Sequence, residues 1–151
     1  MEARENLQMS EANKAVIQAF IDDVVNHGRL ERADELVKED FVELDPLPGQ
    51  QQGREGLKAV LAGLRASLPD WHWTVQEMVA EGHKVVTRFT WTGTHRGPFL
   101  GIPPTGKSIA VKGVVIDYLE NSLMSESRIL MDTMGLMQQL GVVPGPPLSA
   151  G

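Results

Sequence analysis

Cysteine is absent from the 151 residues, which removes disulfides and thiolate metal sites and makes a reducing cytosol the expected compartment. Positive charge is scarce, with 14 Lys plus Arg against 20 Asp plus Glu. The basic residues are scattered singly, so no stripe follows a phosphate backbone and nucleic acid is not an expected partner. No apolar run approaches the roughly 18 residues that span a bilayer. The opening residues, MEARENLQMSEANK, are polar and acidic where a secretory leader is basic and then apolar. The expectation is a cytoplasmic protein without a membrane partner. His27, His72, His83 and His95 lie far apart, and no pair has ligand spacing, so no metal is expected. No Ser/His/Asp arrangement, phosphate-binding glycine loop or nucleotide fingerprint is visible, and no cofactor is expected.

What is present is a clear change of period. A chain of this length reads as one domain, over 1–142. The segment 143–151 carries three prolines and no periodicity, and is expected to be mobile. Ser10 reads as an N-cap with Glu11 in the first turn. Ala15, Val16, Ala19, Phe20, Val24 and Val25 then recur at helical spacing until Asn26-His27-Gly28. A shorter helix follows through Leu30, Ala33, Leu36 and Val37. After an extended piece over 41–46, a third helix spans about 54–68, with Leu57, Val60, Leu61, Leu64 and Leu68 on one stripe. From Trp71 onward the period shortens to about two. Turn residues divide the remainder into strands over 71–80, 83–93, 108–119 and 125–132, and 96–107 (RGPFLGIPPTGK) is too rich in Gly and Pro for a strand. Glu81-Gly82 and Glu120-Asn121-Ser122 supply hairpin turns. Helices first and an antiparallel sheet afterwards is the α+β pattern.

Three helices followed by a curved four-stranded antiparallel sheet resembles the nuclear transport factor 2-like, or cystatin-like, α+β superfamily. Within it the chain resembles the SnoaL-like polyketide cyclases. The carrying strings are Phe41-Val42 with Asp45-Pro46, Gly53-Arg54-Glu55-Gly56-Leu57, Pro69-Asp70-Trp71, Gly93-Thr94-His95, Pro103-Pro104-Thr105-Gly106 and Gln138-Gln139-Leu140-Gly141. Most are turn and packing positions, specific for fold and weak for chemistry. The resemblance implies a cone-shaped curved antiparallel sheet packed on three N-terminal helices. Its one apolar pocket would take a small apolar or polycyclic carbonyl ligand.

Three charged residues are candidates for the chemistry. On the strand 108–119 the odd positions form an apolar face into which Asp117 intrudes. Burial there raises a carboxyl pKa and suits it to acid–base work; otherwise Asp117 reaches solvent at a strand end or pairs with an Arg. Asp45, before Pro46, resembles the general base of ketosteroid isomerase, or else caps the turn before Pro-Leu-Pro-Gly. Phe20 stands where that isomerase carries an oxyanion-holding Tyr. Arg88 and Thr90 resemble the Arg-x-Asp pair of limonene epoxide hydrolase with Thr in place of Asp. Arg88 then orients Asp45 or Asp117 or binds an anionic group, or it lies on the solvent face. In the last strand, where SnoaL-like cyclases usually read Glu-His-Trp-Asp, this chain has Glu126-Ser127-Arg128-Ile129, so the usual acid is replaced by Ile129. Asp132 either pairs with Arg128 or caps the segment 133–140, and His95 either helps to close the pocket or is a surface residue.

Phe20, Trp73, Thr90, Val115, Ile129 and Met131 are the expected ligand wall. Phe89 and Trp91, if exposed on the sheet, are a liability unless covered, which points to a homodimer through the sheet face. The reading is an enzyme that abstracts a proton next to a carbonyl, with Asp45 as base and Arg88 and Asp117 orienting. The alternative is a non-catalytic binding or accessory dimeric domain, because the usual acid position holds Ile129.

Overall fold

The computed structural model describes residues 1–145; the remainder of the Pro/Gly-rich tail expected to be mobile lies outside the described residues. Helix α1 (Glu2–Ala19) runs without a break into a wide π-helical turn, Phe20–Asn26. A short 3-10 turn (Leu30–Arg32) and α2 (Ala33–Leu36) lead to strand β1 (Val37–Glu43) and then helix α3 (Gly53–Ser67). The meander follows, with β2 (His72–Glu81), β3 (Lys84–Thr94), β4 (Ser108–Glu120) and β5 (Leu123–Met131), and α4 (Thr133–Leu140) closes the chain.

Ser10 is not the N-cap that its position suggested. The residues before it, rich in Glu, Ala, Leu, Gln and Met, favour helix on their own and carry α1 back to Glu2. Ser10 instead turns inward, where its hydroxyl accepts the Gly82 N–H at 3.2 Å. Asn13, one turn later, donates to the Gly82 carbonyl at 3.0 Å. The β2–β3 turn is thereby clipped to the first helix.

The sheet also gains a strand over the expected four. β1 pairs in parallel with β5, giving the order β1-β5-β4-β3-β2. The open edge of β5 presents unpaired backbone groups that the extended piece after α2 satisfies. Parallel pairing needs a long crossover, and everything between β1 and β5 supplies it.

Alternation along the strands decides what faces the helices. On β3, Val85, Thr87, Phe89 and Trp91 are buried while Arg88 and Thr92 are exposed; on β4, Ile109, Val111, Val115, Asp117 and Leu119 are buried. This concave face packs against Ile17, Phe20, Ile21, Val24 and Val25 of the first helix and Leu57 and Leu61 of α3. Burying each such side chain contributes about 1.5–3 kcal/mol. Phe89 and Trp91 are 0% and 2% exposed, so the chain's own helices cover them, and they do not create the exposed sheet face that was expected to need a partner.

An aromatic belt crosses this face. Trp73 stacks on Phe89 with centroids 3.7 Å apart, and Trp71 meets Trp73 and Trp91 edge-on at 6.2 and 6.4 Å. Gly113 makes the belt possible. It lies opposite Phe89 in the β3–β4 register, and a Cβ there would stand 2.5 Å from the Phe89 ring and 2.8 Å from the Leu130 carbonyl. At the end of β5, Asp132 caps α4, its side chain accepting the Gly135 N–H at 2.9 Å.

Candidate functional site

Where β1, β5 and β4 lie side by side, Glu43 is opposite Ser127 and Ser127 is opposite Asp117. All three line the cavity enclosed by the concave face, the first helix and α3. Asp117 and Ser127 are buried and Glu43 is half-buried. The Ser127 hydroxyl lowers the pKa of both carboxyls, against the effect of burial. Burial raises the Asp117 pKa to about 7; the Ser127 hydroxyl pulls it down, and the Glu43 charge adds to the rise. Glu43 is raised as well, chiefly by burial, although it accepts the Asp45 N–H at 3.1 Å. Among the described residues, no Lys, Arg or His lines the cavity.

The cavity measures about 440 Å³, within the range of small-molecule sites. Leu47, Pro48 and Gln50 from the β1–α3 loop and Phe99 and Leu100 from the β3–β4 loop form part of its wall, and they also border a second depression of about 590 Å³. His95 is a buried peg for the β3–β4 loop rather than a surface residue: its Nδ1 accepts the Thr105 N–H at 3.2 Å and lies 3.0 Å from the Thr105 hydroxyl. The tryptophan wall is held by Asn26, whose side chain accepts the Trp73 N–H at 2.7 Å and donates to the Trp73 carbonyl at 3.0 Å. Arg65 ties the same corner through the carbonyls of Val25, Asn26 and Trp71.

Several residues singled out from the sequence meet here. Phe20, Trp73, Val115, Ile129 and Met131 line the cavity, and so do Asp45 and Asp117. Asp45 is exposed, and its Oδ2 accepts the Ile129 N–H at 3.1 Å. Arg88 and Thr90 do not join them. One step along β3 from Phe89 and Trp91 turns a side chain to the convex face, where Arg88 Nε donates to Glu77 Oε1 at 2.7 Å. Thr90 lies between Thr74 and Lys112 in the register of the same sheet. Arg88 therefore orients neither acid.

Glu43 and Ser127 were missed. The signal was available in part, since Glu43 shares strand parity with Phe41 and Ser127 shares it with Ile129. The parallel β1–β5 register that brings them together is a long-range pairing with no local signature.

A curved α+β cone whose single-sheet concavity encloses an apolar cavity with one buried and one half-buried carboxyl defines a small-molecule pocket protein of the nuclear transport factor 2-like kind. Residues 15–140 match the SnoaL-like polyketide cyclase family model, and the chain belongs to that family. Similar solved structures include TsrD from Streptomyces laurentii, 28% identical over 88% of this chain and 97% of its own, with a TM-score of 0.81. IdmH from Streptomyces antibioticus is 28% identical over 85% of this chain and 98% of its own, with a TM-score of 0.75. A SnoaL-like protein from Jannaschia sp. CCS1 is 25% identical over 90% and 96%, with a TM-score of 0.80. No curated protein matches the sequence.

Proposed function

We propose that the protein is a cofactor-independent acid–base enzyme of the isomerase or cyclase type, acting on a small apolar or polycyclic carbonyl compound. The observation that supports this reading is the placement of Glu43 and Asp117 on either side of Ser127 in the cavity wall. Burial lifts the Asp117 pKa to about 7 and the Glu43 charge adds to the rise, so near neutral pH Asp117 is protonated in part of the molecules. One of the two carboxyls is then a carboxylate able to take a proton from the carbon next to the carbonyl. The other is a neutral acid whose O–H donates to the oxygen on which the electron pair of the broken C–H bond settles. The enolate either regains a proton at another carbon, which is isomerisation, or attacks a second carbonyl carbon, which closes a ring. Asp45 is in contact with water and is suited to returning the proton to solvent. Phe20, Trp73, Val115, Ile129 and Met131 hold the rings and exclude water.

The proposed assembly is a homodimer through the convex sheet face. Val114 and Leu130 are neighbours across β4 and β5 and stand 39% and 75% exposed there, and a second copy would remove them from water.

The chemistry is tested with β-tetralone in heavy water, following α-proton exchange by NMR. The expected result is exchange above the buffer rate, reduced roughly 100-fold or more in Asp117→Asn, reduced in Glu43→Gln and unchanged in Arg88→Ala. Bound ketone without catalysed exchange would overturn the enzyme reading in favour of a binding domain. That second reading is supported by Ile129, an apolar residue in the cavity wall at the position where the similar cyclases usually carry their acid.

A further inference from the structure

We propose that the ligand of this cavity carries a cationic nitrogen, a protonated amine or iminium, which Glu43 and Asp117 pair with while its rings lie against the aromatic wall. This rests on the reading of the cavity as the ligand site and adds the charge class of its occupant.

Charge in the cavity is one-sided. Among the described residues, Glu43, Asp45 and Asp117 are its only ionisable lining residues, and no basic side chain is among the others. Asp117 is 4% exposed, faces the cavity and makes no ion pair among the described residues. A buried acid without a counter-charge either keeps its proton or takes a positive charge from outside the chain, and a cation in the cavity favours the second state. The protein does not lack cations to spend. Arg32 pairs with Asp23 at 3.1 Å, Arg54 with Asp34 at 3.2 Å and Arg88 with Glu77 at 2.7 Å, all away from the cavity.

The walls point to the same class of ligand. Phe20, Phe41, Trp71, Trp73, Trp91 and Phe99 line the cavity, and aromatic faces attract cations while taking up hydrocarbon. A carboxylate or phosphate ligand would meet three acids and no donor cation. An uncharged ligand fits the walls and leaves the acids as they are. An amine-bearing ring compound satisfies both, and its carbonyl remains available for the chemistry proposed above.

The experiment is a tryptophan-fluorescence titration of the full chain at about pH 8, where a carboxyl of pKa about 7 is ionised. The probes are naphthylmethylamine, naphthylmethanol and naphthoic acid, which share a ring system and differ in charge. The amine is expected to bind roughly tenfold or more tighter than the alcohol, and the acid weakest. In Asp117→Asn and Glu43→Gln the amine's advantage shrinks, and in the double variant it vanishes. The alcohol's affinity stays constant throughout and reports that the variants are folded. An alcohol that binds wild-type protein as tightly as the amine overturns the charge assignment and leaves the cavity reading intact. An amine advantage that survives the double variant assigns the preference to the acidic surface and also overturns it. Binding of none of the probes overturns both readings.

Discussion

The two faces of one sheet treat charge in opposite ways. On the convex face, Arg88 and Glu77 come from neighbouring strands and meet at 2.7 Å with 52% and 62% of their side chains in water. On the concave face, Asp117 has a serine and another acid as its polar neighbours, and burial lifts its pKa to about 7. Asp70, in the turn that precedes β2, shows how readily the same side chain moves the other way. The Thr94 hydroxyl and N–H, each at 2.7 Å, hold it below the usual carboxylate range. Strand alternation thus sorts charges into a solvated, matched set and a desolvated, unmatched set. The unmatched set is the one that coincides with a cavity, and it is there that a ligand has free energy to supply.

The largest expected effect tests that contrast through pH. Unfolded, Asp117 releases its proton near its ordinary value of 3.8; folded, it does so near 7. Between those values the folded state holds a proton that the unfolded state has lost, so stability falls as pH rises and levels off above about 7. With each tenfold change in proton affinity worth roughly 1.4 kcal/mol, the loss approaches about 4 kcal/mol. Urea midpoints from acid to mildly alkaline pH are expected to show this decline in wild type and a shallower one in Asp117→Asn, where Glu43 adds to the remaining slope and Asp70 opposes it at acid pH. The variant is then more stable than wild type above pH 7. A variant less stable at every pH would mean that the carboxylate has a partner, and the two faces would not differ.

Packing on the concave face is the next largest. Gly113→Ala places a methyl against the Phe89 ring and the Leu130 carbonyl, and the backbone atom has nowhere to go. The expected cost is about 1–3 kcal/mol or more, read as a lower melting temperature with loosened near-ultraviolet dichroism from the stacked Trp73. Gly63→Ala is the matching change on an exposed position of α3, where an added Cβ meets nothing within 4 Å. It is expected to raise stability by about 0.5–1 kcal/mol through helix propensity. Equal effects of the two changes would show that the close approach at Gly113 does not constrain the belt.

Much of this arrangement is legible in the sequence, and the parts that are not have a common cause. The change of period at Trp71 locates the four meander strands, and the odd positions of β4 single out Asp117 as an acid on an apolar face. What the periodicity of β3 cannot say is which of its two faces the helices cover. Arg88 and Thr90 therefore looked as eligible for the site as Phe89 and Trp91 did for the surface. Glu43 and Ser127 needed the β1–β5 register, a contact between the beginning and the end of the domain that no local pattern encodes. Ser10 has good capping chemistry, and the helix propensity before it together with the Gly82 turn across from it outweighed that chemistry. Local signals identified elements, and long-range pairing decided the site.

The smallest expected effect is on the convex face, and its smallness is the point. Below dimer dissociation, a double-mutant cycle on Arg88→Ala and Glu77→Ala is expected to give a coupling below about 1 kcal/mol that weakens further in salt, because both groups keep most of their hydration when the pair breaks. The same variants leave the amine preference of the cavity unchanged, since their charges sit on the far side of the sheet. A coupling of several kcal/mol would mean that the pair is shielded from water in solution, as it would be beneath a second copy of the chain. The cycle, measured at concentrations above and below dimer dissociation, therefore sharpens the contrast between the faces and tests the proposed dimer surface in one experiment.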